Sequence, residues 1–315
     1  MRKIDTSELL IGRFTARRMS VLAERLEAIS AEYLDAMAVQ GPPADLVAAF
    51  AHPIPAMMIC ELLGVPRTDR ATFTRHARAM TAPDGAPEDV GAAYAALQRY
   101  VHELVPAKRA DPTDDVLSEL TDTDLSDNEV AGLGTFLLTA GLDSTANQIA
   151  LGIYLLLSHP DRLAALRADP GLVDQAAEEL LRPVTIAHST GRAATVDVEF
   201  GGQPVRAGET LTVVLQVANR DAARYPDPDT LDLSRSATGH ATFGHGVHQR
   251  LGQRLARIEM LVALPALLAR FPTLRLAVPA EEVPIRHDQN TSGVHQLQVT
   301  WDQDLHNRSL EKEND

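Results

Sequence analysis

Cysteine is almost absent: Cys60 is the only one in 315 residues. An internal disulfide framework is therefore excluded, and a lone thiol suits a reducing, cytoplasmic setting. Cys60 lies in the apolar run Pro55–Leu63, where its ordinary reading is a small buried hydrophobe. Lysine is nearly as scarce. Lys3, Lys108 and Lys312 are the only three, so arginine carries almost all the positive charge. With the abundant alanine, this points to a GC-rich bacterial genome. No apolar run reaches the ~20 residues of a membrane span. No apolar region follows the basic start Met1-Arg2-Lys3, so a secretory signal is not expected. No repeat period is visible. Positive charge is in deficit overall: 29 Lys and Arg against 43 Asp and Glu give −14. That balance argues against nucleic-acid or anionic-membrane binding.

What is present is a globular composition. Apolar residues make up 45% and charged residues 23%, enough for a sizeable core. The chain reads as a single domain over residues 1–301 with a polar tail over 302–315. The first two thirds read as helices. Leu22, Leu26, Ile29, Tyr33 and Leu34 recur at helical spacing within Arg17–Met37, which Gly41-Pro42-Pro43 ends. Further helices are predicted over Pro53–Leu63, Thr68–Met80 and Pro87–Val105, before a charged stretch with a loop at 111–115. The longest helix is expected over Asp127–Ser158, opened by a capping box of Ser126 and Glu129. At ~1.5 Å per residue it would cross a whole domain. Helices over Asp161–Arg167 and Leu172–Arg182 follow. Alternating β-branched residues then predict short strands in Ala194–Val205 and Glu209–Val214. Helix returns over Leu251–Leu268, and a last strand is expected in Gln296–Trp301. The fold class is mostly α, an α-dominated α+β arrangement.

Several segments carry chemistry. Ala140-Gly141-Leu142-Asp143-Ser144-Thr145 sets an acid beside an alcohol inside the long helix. Taken alone, such a pair is ordinarily solvated or bonded back to the helix. Glu179 and Arg182 are spaced i, i+3, so a carboxylate and a guanidinium share one helix face and can pair through two hydrogen bonds. Arg192 follows in Ser189-Thr190-Gly191-Arg192. Ala218-Asn219-Arg220-Asp221 and Tyr225-Pro226-Asp227-Pro228 precede the loop Phe243-Gly244-His245-Gly246-Val247-His248-Gln249-Arg250-Leu251-Gly252. His240, His245 and His248 lie within nine residues, and three imidazoles can bind zinc. Their spacing matches no helix face, so no metal site is assigned.

In this order the motifs resemble those of the cytochrome P-450 family, over about Phe14–Trp301. The family's haem-ligand loop reads Phe-x-x-Gly-x-His-x-Cys-x-Gly. Phe243, Gly246, His248 and Gly252 match it, and Arg250 stands where the cysteine ligand belongs. The resemblance implies a cytochrome P-450-like fold. It implies that Gly141, Asp143, Ser144 and Thr145 form a vestigial oxygen-activation segment and that Glu179 and Arg182 lock the core. It further implies that Arg192 and His248 sit at haem propionates. Met1 falls near the family's third helix, so about a hundred residues of a usual chain are expected to be missing upstream, with their helices and strands.

A thiolate pushes electron density into haem iron, whereas a guanidinium is cationic and offers no lone pair. No cofactor is therefore expected, and haem-thiolate monooxygenase activity is not. The resemblance extends to cysteine-less proteins of this fold that activate glycosyltransferases in antibiotic biosynthesis. The function expected on that basis is a non-catalytic helper, a pseudoenzyme that binds a nucleotide-sugar glycosyltransferase. The alternatives are a haem-free enzyme using the old pocket for non-redox chemistry, with Asp143 and Ser144 as acid and base, and an inactive relic of a monooxygenase.

Overall fold

The computed structural model describes residues 6–82, 84–246, 249–286 and 291–303. Helices α1 (Thr6–Ile11) and α2 (Ala16–Gln40) lead into a two-residue strand β1 (Ala44–Asp45) and a π-helical turn over Val47–Ala51. Then come α3 (Pro53–Leu63), α4 (Arg70–Met80), α5 (Pro87–Ala110) and α6 (Val116–Thr121). Gly41 and Gly64 close α2 and α3 with φ of 78° and 65°, backbone that favours glycine. The short helix α6 rises inside the charged stretch, just after the loop expected at 111–115, because Asp115 caps it by accepting from the Ser118 amide at 2.8 Å.

The long central helix α7 (Asp127–Leu157) starts at the anticipated capping box. The Glu129 amide reaches Ser126 Oγ at 3.4 Å, and the Ser126 amide donates back to Glu129 Oε2 at 2.9 Å. Every residue from Thr145 to Ile153 is buried, so this half of α7 meets protein on all sides and runs through the core. Burying each of its leucines and isoleucines contributes roughly 1.5–3 kcal/mol. Helices α8 (Pro160–Ala168) and α9 (Val173–Leu181) follow.

Strands β2 (Ser189–Ala193) and β5 (Thr210–Val214) pair antiparallel, Arg192 opposite Leu211. Between them β3 (Val198–Phe200) and β4 (Gln203–Val205) form a hairpin turned by Gly201 and Gly202 at φ 58° and 76°. The strand expected over Ala194–Val205 is thus two elements. Ladder pairing starts earlier, at Ser189, and the chain leaves the sheet where Asp197 accepts from the Ala207 amide at 2.8 Å.

A short helix α10 (Leu215–Ala218) and the long α11 (Gln253–Arg270) complete the helical layer, and α11 packs on α2, α7 and α9. Close approach of α11 to α7 uses Gly152, where a Cβ would lie 3.1 Å from Met260 Cε. Strands β6 (Arg275–Leu276), β7 (Ile285–Arg286), β8 (Gly293–Val294) and β9 (Gln298–Thr300) are short. β9 sits between β1 and β6, pairing Ala44 with Val299 and Arg275 with Thr300. The mostly helical fold agrees with the sequence reading. No single helix among the described residues is long and apolar enough to cross a membrane; α7 and α8 pass such a test only as a pair bent by 100°.

Candidate functional site

Helices α3 and α7, the loop 243–252 and the start of α11 enclose a cavity of about 380 Å³. Its walls are mainly apolar, with Phe14, Ile59, Leu62, Phe136, Leu137 and Leu255 among them. Gly141 keeps α7 low against α3: a Cβ there would lie 2.7 Å from Ile59 Cδ1. Across the cavity the loop turns through Gly244 and Gly246, both at φ 72°. A hydrogen bond of 2.9 Å from the Arg250 amide to the Phe243 carbonyl closes it. The two segments singled out in the sequence, Ala140–Thr145 and 243–252, therefore face one cavity.

Individual residues divide. Ser144, Thr145 and Arg250 line the cavity. Ser144 Oγ donates to the Ala140 carbonyl at 2.8 Å, the back-bonding anticipated for an alcohol inside a helix. Asp143 is not a wall residue. It accepts from Asn147 Nδ2 at 2.8 Å and lies 3.5 Å from the buried Arg286, on the other side of α7. Arg192 lies on β2, exposed, with Nη1 donating to Thr190 Oγ1 at 2.7 Å. His245 is exposed and His248 lies outside the described residues.

Glu179 and Arg182 are both fully buried and joined by two hydrogen bonds of 2.8 Å. Arg182 Nη1 also donates to the carbonyls of Asn219 and Pro228, at 2.9 and 2.7 Å. Glu179 Oε1 accepts from the Asp232 amide at 3.1 Å and Arg235 Nε at 3.2 Å. The pair ties α9 to the segment that leads into the loop. A second cluster fixes the loop itself. Arg257 of α11 lies over the Phe243 ring, 4.6 Å from its centroid, and pairs with Glu178. The buried His240 approaches Glu178 to 3.2 Å. Burial alone would raise the Glu178 pKa, but the nearby His240 and the hydrogen bonds from Arg257 outweigh it and hold the carboxyl at about 2.

Two cavity groups are electrostatically unusual. Arg250 lines the cavity but stays exposed, with no hydrogen bond or ion pair to its guanidinium among the described residues; partial desolvation by its neighbours lowers its pKa. Glu259, on α11, is 2% exposed, and its Oε2 has no hydrogen-bond partner. Burial pushes its pKa up to about 8, so it is a neutral acid near neutral pH. By resemblance Glu259 falls in the helix that follows the ligand loop, with no role of its own expected; it lies four residues after Leu255 on the buried stripe of α11. Asn147, Arg286 and Phe14 were missed too, and no local signal marked them.

Haem, implied by the ligand loop, fits this cavity only in part. The apolar walls suit a flat macrocycle. The donor set does not suit its iron. No Cys, His, Met or Tyr is among the described lining residues. Cys60 on α3 is fully buried outside the lining, and burial raises its pKa to about 12, so it stays a thiol. The residues do not fit a haem-thiolate centre.

The family description Cytochrome P450, here written cytochrome P-450, matches residues 90–299. Cytochrome P-450 105C1 from a Streptomyces species is 51% identical over 296 residues, covering 93% of this chain and 78% of its own. Pentalenic acid synthase of Streptomyces avermitilis is 45% identical, covering 93% and 74%. Nocardicin C N-oxygenase of Nocardia uniformis is 44% identical, covering 93% and 76%. The crystal structure of cytochrome P-450 MoxA from Nonomuraea recticatena superposes with a TM-score of 0.89 at 43% identity, covering 93% of this chain and 74% of that one. The chain thus spans about three quarters of these relatives' length.

These findings correct the functional expectation. The relatives are named as a synthase and an oxygenase, not as helpers of a glycosyltransferase, so the helper, the pseudoenzyme and the glycosyltransferase partner are withdrawn. The expectation that the chain is not an enzyme falls with them. So does the expectation of no cofactor, because the family's members depend on haem. Those expectations rested above all on Arg250 at the ligand position. By motif order, fold and relatives, the chain belongs to the cytochrome P-450 family.

Proposed function

We propose that this chain is an oxidative enzyme of bacterial natural-product metabolism, with the cavity beneath α7 as its haem and substrate site. The observation that carries the reading is the facing of Ala140–Thr145 and the loop 243–252 across one apolar cavity. The names of the relatives, an acid synthase and an N-oxygenase, support oxidation of a mostly apolar secondary metabolite. In this reading Gly141 lets α7 pack closely on Ile59 of α3 at the cavity wall. Ser144 and Thr145 present hydroxyls to the cavity and can hold a water or a polar group of the substrate. Asp143 acts indirectly, fixing α7 through Asn147 and Arg286. Arg192 and His248 are proposed to meet the propionates, which requires Arg192 to leave Thr190. Glu179 and Arg182 hold the segment before the loop in place. An electron-donor protein is the partner class this reading calls for. Arg250 would set a cation, with no lone pair to offer, at the family's ligand position.

The test is haem uptake and oxidation of an apolar probe by the wild-type chain and by Arg250→Cys, each with an electron donor. Uptake near one haem per chain by both is expected, with faster product formation by Arg250→Cys. Failure of both proteins to take up haem would overturn the reading.

A further inference from the structure

Strands β2 and β5 pair with each other and with no other strand among the described residues. In β5, Thr210, Thr212, Val213 and Val214 are exposed and only Leu211 is half-buried. Val213 and Val214 lie on opposite faces of the strand, yet keep 41% and 44% of their surface open. A two-stranded sheet is marginal in water unless a further strand or a packed helix supports it. The bond of 2.9 Å from the Leu215 amide to the His188 carbonyl fixes which way β5 turns its backbone. Counting back along the ladder, Leu211 and Val213 direct their N–H and C=O groups to β2. Thr210, Thr212 and Val214 direct theirs to the open edge. At the far end of the ladder the Ala194 amide, 2.9 Å from the Glu209 carbonyl, keeps the same phase.

That edge carries none of the usual guards. It has no proline, no charge and no bulge, and every residue but Leu211 is β-branched. The strand on the other side, β2, holds Gly191 and Arg192, which disfavour a new neighbour. An antiparallel copy of β5 centred on Thr212 is the one register that pairs the whole strand. Thr212 then faces itself, Thr210 faces Val214 and Leu211 faces Val213, with no charge on either side. Each outward N–H meets an outward C=O of the other strand.

We infer that a second copy of this chain docks on the open edge of β5, joining two β2–β5 ladders into one antiparallel sheet about a two-fold axis at Thr212. The contact is isologous, so it closes at two copies. An edge this short makes a small interface, and the dimer forms as concentration rises. Haem has no part in it, so its failure would leave the proposed function standing.

Sedimentation velocity over a concentration series is run on the wild type, on Thr212→Lys, on Thr212→Glu and on an equal mixture of the two variants. Circular dichroism checks that each is folded; Thr212 is exposed, so neither change disturbs a core. The wild type is expected to pass from one copy to two as concentration rises. Each variant alone should stay monomeric over the range in which the wild type pairs, because like charges meet across the axis. The mixture should recover the dimer, because the two new charges attract. A wild type that stays monomeric throughout or grows past two copies overturns the inference. So do variants that pair as the wild type does, or a mixture that stays monomeric where the wild type pairs.

Discussion

At the scale of single residues, the site is governed by what three side chains cannot do. Arg250 cannot ligate iron, Cys60 is too deeply buried to replace a ligand, and Glu259 cannot ionise cheaply. The last has a measurable consequence. The Glu259 carboxyl titrates near about 8 in the folded chain against a reference of 4.5. Between those values the folded state holds one proton more than the unfolded chain. Stability therefore falls as pH rises through that window, by up to about 1.4 kcal/mol per pH unit. Glu178 works in the opposite sense. Its pKa of about 2 adds stability above 4.5 that is lost as pH falls towards 2. Urea unfolding at about pH 5 and about pH 8 checks the first effect. The wild type should lose stability between the two, and Glu259→Gln should flatten that loss. An equal fall in both proteins would place the effect elsewhere.

At the scale of elements, buried ion pairs fix how helices meet the loop. Removing Glu179 leaves Arg182 a buried charge with no carboxylate, and removing Arg182 leaves the buried Glu179 with Arg235 as its one remaining cation among the described residues. Glu179→Leu or Arg182→Leu should cost about 3–5 kcal/mol, read as a lowered denaturation midpoint. An unchanged midpoint would show that the pair carries no structural role. Gly64 guards a second pair. A Cβ there would collide with Asp115 Oδ2 and Lys108 Nζ, whose buried bond is 2.7 Å long. Its φ of +65° adds strain for any other residue. Gly201 shares that strain at φ +58° but its Cβ would meet nothing within 4 Å, so Gly64→Ala should destabilise more than Gly201→Ala by the cost of the collision. Thermal unfolding of the two variants side by side checks this.

Elements also show what could be read in advance. The capping box at Ser126 set the start of α7 because both of its hydrogen bonds are local. The spacing of Glu179 and Arg182 suggested a pair because i, i+3 residues share a helix face. The side of α7 that Asp143 faces was not legible. It depends on Asn147 four residues on and on Arg286, which lies 143 positions away in sequence. Strands such as β1 and β9, with two and three residues, take shape only through pairing across the chain. The cavity was legible in its two walls, since each is a local motif. Its unpaired acid was not, because Glu259 is buried by neighbours from other elements.

At the scale of the whole molecule, the account joins two facts that pull apart. The chain has the family's motif order and a fold that superposes on a solved member with a TM-score of 0.89. It also has a cation where the family places a thiolate. The cavity between α7 and the loop is therefore proposed as a haem cavity with Arg250 at the family's ligand position. Haem titration followed by reduction and carbon monoxide addition tests this most directly, comparing the wild-type chain with Arg250→Cys. The account predicts that both take up haem in this cavity, and that only Arg250→Cys shows the thiolate-type carbon monoxide band. A wild-type chain with that band, or an Arg250→Cys chain that binds haem without it, would contradict the account.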